Sequence, residues 1–171
     1  GISAGFTSAE EVLVNDDIAV STVWVSTNTY NLQKQIYVLP GATLTIEPGT
    51  LVRSTANVGG SLAVCRGARI YVNGTATKPV IMTSSLDTMT SWHEGCNEWG
   101  NLTIMGNALI GASPCNDVGL GDPGVNTKTP NPNNQKQMEG LVAGFPGDPK
   151  VMYGGGDDDD NSGSILSLIH I

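Results

Sequence analysis

Two stretches that repeat one another decide the fold, IYVLPGATLTIEPGTLV at residues 36–52 and LAVCRGARIYVNGTATKPVIM at residues 62–82. At an offset of 26 residues, apolar positions fall on apolar positions and Gly41 falls on Gly67. Within each copy, apolar residues alternate with others, as in short strands that have one buried face. Because such short strands cannot bury that face alone, the copies must stack on one another.

A third copy, LTIMGNALI at residues 102–110, aligns with the second at an offset of 40 residues. The predicted architecture is an all-β, right-handed parallel β-helix, a solenoid in which each copy forms one coil. A β-sandwich is the alternative, but it does not explain why a Gly-Ala pair recurs in the same phase. The glycines of that pair predict corners with positive φ or a close approach of the backbone. The two expected interior ladders are Ile36, Leu62 and Leu102, and Leu44, Ile70 and Ile110; residues 51–52 and 80–82 supply the third side.

Long polar insertions interrupt the repeat, and in solenoids such insertions form loops on one face. The chain therefore divides into five predicted parts, the coils being the N-terminal part of a longer helix. These parts are an N-terminal cap with the first strand at 1–35, coils at 36–110 with an insertion at 83–98, a long loop at 111–140, a return to the coil at 141–165, and a non-native tail at 166–171.

Net charge and apolar content limit the classes of partner and the cellular location that the protein can have. The net charge is −8 with eight Lys and Arg residues, and these basic residues do not cluster. A nucleic-acid partner is excluded on this ground, because such binding needs a dense basic patch. No apolar run reaches 18 residues, so no membrane span is expected. An acidic surface with few lysines is typical of a secreted or cell-surface protein that meets cations.

Two of the three cysteines, Cys96 and Cys115, lie in the polar insertions. In an oxidising compartment they would close a disulfide that ties the two insertions together. The alternative is a pair of unbonded loop thiols. There is no C-x-x-C motif or His/Cys cluster, which argues against a zinc site.

The order of motifs resembles a known family. GATLTIEPGT, LAVCRGARIYVNGTATKPVIMTS, EWGNLTIMGNALI, MEGL and YGGGDDDDNSGSI follow one another over roughly residues 36–166. This series resembles that of large secreted bacterial β-helix proteins of the hypothetical or lipoprotein type, common in Bacteroidota. Asn101 stands where the family pattern has a second Gly after Trp99-Gly100. The resemblance implies a β-helix and carries no established activity.

The last six residues, LSLIHI at 166–171, depart from the family pattern. Translated back into DNA, they resemble the transposase adaptor end of sequencing libraries. We therefore expect this tail to be read-through at the edge of an assembled metagenomic fragment. The alternative is a genuine short strand that pairs on the open coil.

Five oxygen-bearing residues form the best candidate metal site: Asp157, Asp158, Asp159, Asp160 and Asn161. Carboxylate and amide oxygens beside flexible glycines suit Ca²⁺, which takes six to eight oxygen ligands. The alternative is a solvated acidic turn whose side chains cap backbone N–H groups. Calcium is the one cofactor that the sequence suggests.

Candidate catalytic residues are few. His93 and Glu94 lie in a loop near Glu98, and a lone loop histidine is more often solvated than catalytic. We assign no catalytic residue and lean toward a non-enzyme. Trp92 is the candidate for stacking on a sugar ring.

Two functions remain open. The first is an extracellular structural or adhesive β-helix that contacts a cell-surface ligand through its insertions and self-associates end to end through unpaired strand edges. The alternative is a β-helix that binds or cleaves carbohydrate, like a lyase or hydrolase, with Ca²⁺ at Asp157–Asp160 and stacking at Trp92.

Overall fold

The structure is a computed structural model that describes residues 9–91, 93–110 and 135–170. Over these residues the chain winds as a right-handed parallel β-helix, as the repeat predicted. A single 3-10 helix, Pro149–Val151, lies among the described elements. The strands are β1 Glu10–Val14, β2 Thr22–Trp24, β3 Asn28–Leu32, β4 Gln35–Val38, β5 Thr43–Ile46, β6 Leu51–Ser54, β7 Ser61–Val64, β8 Arg69–Asn73, β9 Val80–Ser84, β10 Leu102–Ile104, β11 Lys136–Gln137, β12 Met152–Tyr153, β13 Gly163–Leu166 and β14 Leu168–His170.

Three parallel sheets form the sides of the helix. Sheet 1 has the order β1-β3-β6-β9-β14, sheet 2 the order β4-β7-β10, and sheet 3 the order β2-β5-β8-β13. Each coil passes from sheet 1 to sheet 2 and then to sheet 3. In the first coil, sheet 2 is reduced to one bridge, in which Ile18 pairs with Val38. In the described part of the chain, no helix is long and apolar enough to cross a membrane.

The register confirms most of the predicted stacking. Ile36 pairs with Leu62, and Leu62 pairs with Leu102 on its other side. On sheet 3, Leu44 pairs with Ile70. Side chains of this kind stabilise a fold by about 1.5–3 kcal/mol each when fully buried. The interior ladders therefore form the hydrophobic core, and Ile36, Leu44, Leu62 and Ile70 are all 0% exposed.

One predicted ladder member is wrong. Ile70 pairs with Gly163 of β13, and not with Ile110. After β10 the chain does not turn the corner into sheet 3, because the backbone beyond Met105 leaves the coil. The Gly106 carbonyl there accepts a hydrogen bond from Gly154 N–H at 2.9 Å. The alternation in LTIMGNALI was read as two strands of one coil, yet the second strand of that coil arrives only after the insertion.

The corner glycines have the predicted conformation. Gly41 has a φ of 86° and Gly67 a φ of 75°, a region that L side chains rarely adopt. Gly41 N–H donates to the Gly67 carbonyl at 2.9 Å, so the two corners are hydrogen-bonded to each other. The recurrence of Gly in this phase therefore follows from the backbone.

Strands extend to both sides of the predicted coil region. β1 and β3 pair in parallel, so a coil is already present before residue 36. At the other end, β14 pairs in parallel with β9. Residues 168–170 thus form the strand that the alternative for the tail described, while its origin as read-through stays a prediction.

Residues 135–162 fold back onto the outer face of sheet 2. We call them the cover segment. Tyr37 Oη donates to the Val142 carbonyl at 2.6 Å, and Arg66 Nη1 donates to the Gly154 carbonyl at 2.8 Å. Val151 of the cover segment is 0% exposed. The cover explains why all four residues of β7 are buried, although a coil strand normally buries one face.

Candidate functional site

The first insertion forms a cleft at the corner between sheets 1 and 2. Residues 85–101 connect β9 to β10 and enclose a cavity of about 290 Å³. The lining combines the end of β9, including Thr83 and Ser84, with Asp87, His93 and Glu98 from the insertion. We call this cavity the insertion cleft. It is larger than a cavity of about 250 Å³ that Asp160 and Arg69 line.

Asp87 is held in place by two hydrogen bonds. Met89 N–H donates to Asp87 Oδ1 at 2.7 Å, and Thr83 Oγ1 donates to Asp87 Oδ2 at 2.8 Å. The backbone N–H of Met89, followed by the Thr83 hydroxyl, lowers the pKa of Asp87, and the charges of His93 and Arg53 act in the same direction. Asp87 is therefore ionised at neutral pH.

His93 and Glu98 form the second fixed group of the cleft. His93 Nε2 lies 2.9 Å from Glu98 Oε2. A hydrogen bond from the Ser84 side chain and another from His93 lower the pKa of Glu98. Glu98 is thus also ionised at neutral pH, and its partners fix the direction in which it points.

The backbone of the insertion is fastened to the turn between β6 and β7. Asn57 N–H donates to the Asn97 carbonyl at 2.9 Å, and Gly100 N–H donates to the Gly60 carbonyl at 2.8 Å. A Cβ at Gly100 would clash with the Ser61 side chain and the Gly60 carbonyl, so close approach requires glycine here. The rim of the cleft is therefore part of the solenoid rather than a free loop.

A row of polar side chains on sheet 1 leads to the cleft. Asn31, Arg53 and Thr83 occupy neighbouring strands in register. Asn31 Nδ2 donates to Glu11 Oε1 at 2.9 Å at one end of the row, and Thr83 is bonded to Asp87 at the other. The row is largely buried, since Asn31 is 5% exposed and Thr83 1% exposed, so it borders the cleft without forming an open polar surface.

Sequence reasoning placed His93 near Glu98 but missed Asp87 as a member of the same site. The signal was present in TSSLDTMTSWHEGCNEW, a polar run that directly follows an apolar strand. The sequence alone could not show how these residues come together. The pairing of Arg53 with Thr83 depends on the register of the coils, and the inward direction of Glu98 depends on the conformation of the loop.

The predicted calcium residues cap backbone groups. Asp158 Oδ1 accepts from Leu109 N–H at 2.9 Å, and Asp160 Oδ2 accepts from Asn107 N–H at 2.8 Å. Asn161 Oδ1 accepts from Gly163 N–H at 2.8 Å.

Asp157 also makes a local bond, since its Oδ1 accepts from Asp159 N–H at 3.1 Å. Over residues 9–91, 93–110 and 135–170, no group of three or more His, Cys, Asp or Glu residues could hold a metal ion. The geometry fits the acidic turn better than a calcium cage, and calcium binding stays a prediction.

The predicted calcium residues also lie away from the insertion cleft. Asp160 and Asn161 line a second cavity of about 250 Å³ together with Gly41, Gly67 and Arg69. That cavity lies at the corner between sheets 2 and 3. The acidic turn and the His93–Glu98 pair therefore belong to different corners of the helix.

The cysteines differ in accessibility. Cys96 is an exposed free thiol that lines the insertion cleft. Its predicted disulfide partner, Cys115, lies outside the described residues, as does Trp92, the predicted glycan contact. The disulfide and the stacking role stay predictions.

Cys65 is buried beneath the cover segment. Its Sγ donates to the Lys150 carbonyl at 3.4 Å. Burial raises the pKa of Cys65 to about 11, and the nearby Asp17 carboxylate adds to the effect. Since the thiolate is the nucleophilic form, Cys65 serves packing rather than chemistry.

Comparison with known proteins agrees with this geometry. The model of the pectate-lyase-like β-helix domain family matches residues 16–169, which include both insertions and the three sheets except β1. The chain belongs to this family. Neither the comparison with curated proteins nor the comparison with solved structures found a match. In this pectate-lyase-like β-helix, the insertion cleft and the cover segment both fall inside the matched region.

Proposed function

We propose that this pectate-lyase-like β-helix is an extracellular adhesive surface protein that binds a glycan in the insertion cleft without cleaving it. The solenoid provides a stiff support for the cleft. The observation that carries the proposal is the set of fixed acceptors in the cleft, the carboxylates of Asp87 and Glu98. Preorganised polar groups of this kind orient sugar hydroxyls at low entropic cost.

Two features support binding over cleavage. The acidic turn that was the calcium candidate lies at another corner of the helix from His93 and Glu98. In addition, no Lys or Arg of the described residues lines the cleft, so none of them could act there as a base or neutralise a transition state. The calcium candidate and the His93–Glu98 pair are therefore not assembled in one place, as calcium-assisted polysaccharide cleavage requires.

End-to-end self-association completes this proposal. β10, β13 and β14 are the outermost described strands at one end of the sheets, and β1 and β2 are outermost at the other. Outermost strands offer backbone groups to a further strand. The side chain of Ile165, whose register partner Val72 is 0% exposed, is itself 41% exposed. Stacking of a second copy on this surface would cover it.

Carbohydrate cleavage with Ca²⁺ is the second candidate, and the family match together with the His93–Glu98 pair favours it. In that case the Glu98–His93 pair would transfer a proton, and the acidic turn would hold the cation after releasing Asn107 and Leu109. A cleaving enzyme would generate new chain ends from a polysaccharide in a calcium-dependent manner.

One experiment separates the two candidates. Purified protein is assayed for retention on a panel of insoluble cell-wall polysaccharides and, in parallel, for release of reducing or unsaturated ends with and without Ca²⁺. We expect retention without release. Glu98→Gln should weaken retention, whereas Glu139→Gln, an exposed carboxylate of the cover segment, should not. Release of new ends that Glu98→Gln abolishes would establish cleavage instead.

A further inference from the structure

We infer that the insertion cleft selects non-anionic glycans, binding sugar hydroxyl or ammonium donors through Asp87 and Glu98 and excluding polyuronates. The inference rests on the proposed function and names its ligand class. Pectate, the polymer in the family's name, is itself a polyuronate. The chemistry of this cleft therefore points away from that polymer.

The charges of the lining are the first argument. Among the described residues, Asp87 and Glu98 contribute carboxylates to the lining, and His93 is its one basic side chain. His93 Nε2 already faces Glu98 Oε2 at 2.9 Å, so this nitrogen is occupied. A uronate carboxylate entering the cleft would meet two negative charges and no Lys or Arg of the described lining.

Arg53 does not reverse this balance. It lies in register with Thr83 on sheet 1, and its charge already acts on Asp87. It does not line the cavity. A single arginine outside the cavity cannot hold each carboxylate of a polyuronate chain. The −8 net charge of the whole chain adds a long-range repulsion that acts before contact.

The hydrogen-bond capacity of the carboxylates is the second argument. Each carboxylate oxygen can accept about two hydrogen bonds. Asp87 Oδ1 and Oδ2 each accept one from the protein, from Met89 and Thr83, which leaves acceptor capacity on both atoms. Sugar hydroxyls and protonated amino groups are donors, whereas an ionised uronate offers an acceptor. The cleft is thus complementary to donors.

Three soluble ligands of matched length test the inference: an oligogalacturonate, a neutral galactan oligosaccharide and a chitosan oligosaccharide. Binding is measured by calorimetry with the whole chain. We expect the neutral or the amine-bearing ligand to bind at least about tenfold more tightly than the uronate, as hydrogen bonds to charged groups allow. Weakening by added salt identifies ammonium donors, and salt-insensitive binding identifies hydroxyl donors.

Variants decide whether the cleft is responsible. Glu98→Gln and Asp87→Asn keep an acceptor oxygen but remove the charge. Both should therefore reduce the ratio between the affinity for the neutral or amine-bearing ligand and the affinity for the uronate. Glu139→Gln is the matched control and should leave it unchanged. If the uronate binds most tightly to the wild type, the inference is overturned and the proposed function stands. If none of the ligands binds, and none of the cell-wall polysaccharides is retained, the proposed function itself is overturned.

Discussion

Lys150 Nζ lies 3.3 Å from Asp17 Oδ2, which joins the cover segment to the first coil across 133 residues of sequence. The other carboxylate oxygen, Asp17 Oδ1, accepts from the Tyr37 backbone N–H at 3.1 Å. Sheet 2 has only the Ile18 bridge in its first coil among the described residues, so the carboxylate occupies the place of a strand carbonyl. The Asp17 side chain thus completes the hydrogen bonding at the edge of sheet 2 and also pairs with Lys150 of the cover segment.

The hydrogen bond and the ion pair of Asp17 should contribute differently to the free energy of unfolding. Asp17→Ala leaves the Tyr37 N–H without its acceptor, and we expect a loss of about 1–3 kcal/mol in the free energy of unfolding. Lys150→Met removes a partly exposed ion pair and should cost less than about 1 kcal/mol. Urea unfolding of both variants measures the difference. An equal loss in the two variants would contradict the strand-carbonyl role, and Asp17→Asn, which keeps an acceptor oxygen, is the control.

The interior ladder makes a second prediction. Leu62 is 0% exposed between Ile36 and Leu102, so Leu62→Ala should cost about 2–5 kcal/mol through lost burial and the cavity left behind. Leu86, which is 57% exposed in the first insertion, is the matched control. Leu86→Ala should change the unfolding free energy by about 0.5 kcal/mol or less. Similar midpoints for the two variants in urea would be inconsistent with the stacking.

The ladders could be predicted from the sequence because period-two alternation and the 26-residue offset both follow from the stacking of Ile36 on Leu62. The cover segment was not readable. Its contacts, such as Tyr37 with Val142, join the outer face of a strand to an insertion with no periodic pattern. The same holds for the cleft, since the pairing of His93 with Glu98 depends on a loop conformation.

Glycine positions make a third prediction. Gly163 has a φ of 114°, and a Cβ there would overlap the backbone of Ile70 in the neighbouring strand. Gly67 has a φ of 75° but open space around it, with Pro40 as its nearest neighbour. Gly67→Ala should therefore cost about 1–2 kcal/mol from the backbone conformation alone.

Gly163→Ala should cost clearly more than Gly67→Ala, because strand backbone cannot move aside as a flexible side chain can. Thermal unfolding of both variants gives the comparison. A smaller loss at Gly163 would mean that β13 does not pair with β8 in the register seen here.

Acid should weaken the attachment of the cover segment. Asp148 is 3% exposed, and hydrogen bonds from Lys150 N–H and Gly144 N–H lower the pKa of its carboxyl. A group whose pKa is lower in the folded state contributes its stability above the unfolded pKa and loses it as the pH falls through the folded pKa. The unfolded pKa of Asp is about 3.9, so the loss should occur from about that pH downward.

Urea midpoints measured between neutral pH and acid test this expectation. Asp148→Asn should lower the free energy of unfolding by about 0.5–2 kcal/mol at neutral pH, as the loss of a helix cap does. It should also make the free energy of unfolding fall less steeply as the pH is lowered. Glu139→Asn, an exposed position, is the control. If stability falls equally steeply with decreasing pH in Asp148→Asn and in wild type, the acid sensitivity comes from other carboxylates.

The two described cysteines should react at very different rates. Cys96 is exposed, whereas Cys65 is buried under the cover segment with its pKa raised to about 11. In reduced native protein, iodoacetamide should modify Cys96 readily and Cys65 only on opening of the cover, because the thiolate is the reacting form. Peptide mapping by mass spectrometry locates the label, and Cys65→Ser is the control for its assignment. Labelling of Cys65 as fast as that of Cys96 would show that residues 135–162 do not stay on sheet 2. Without reductant, protection of Cys96 that reductant removes would establish the predicted disulfide with Cys115.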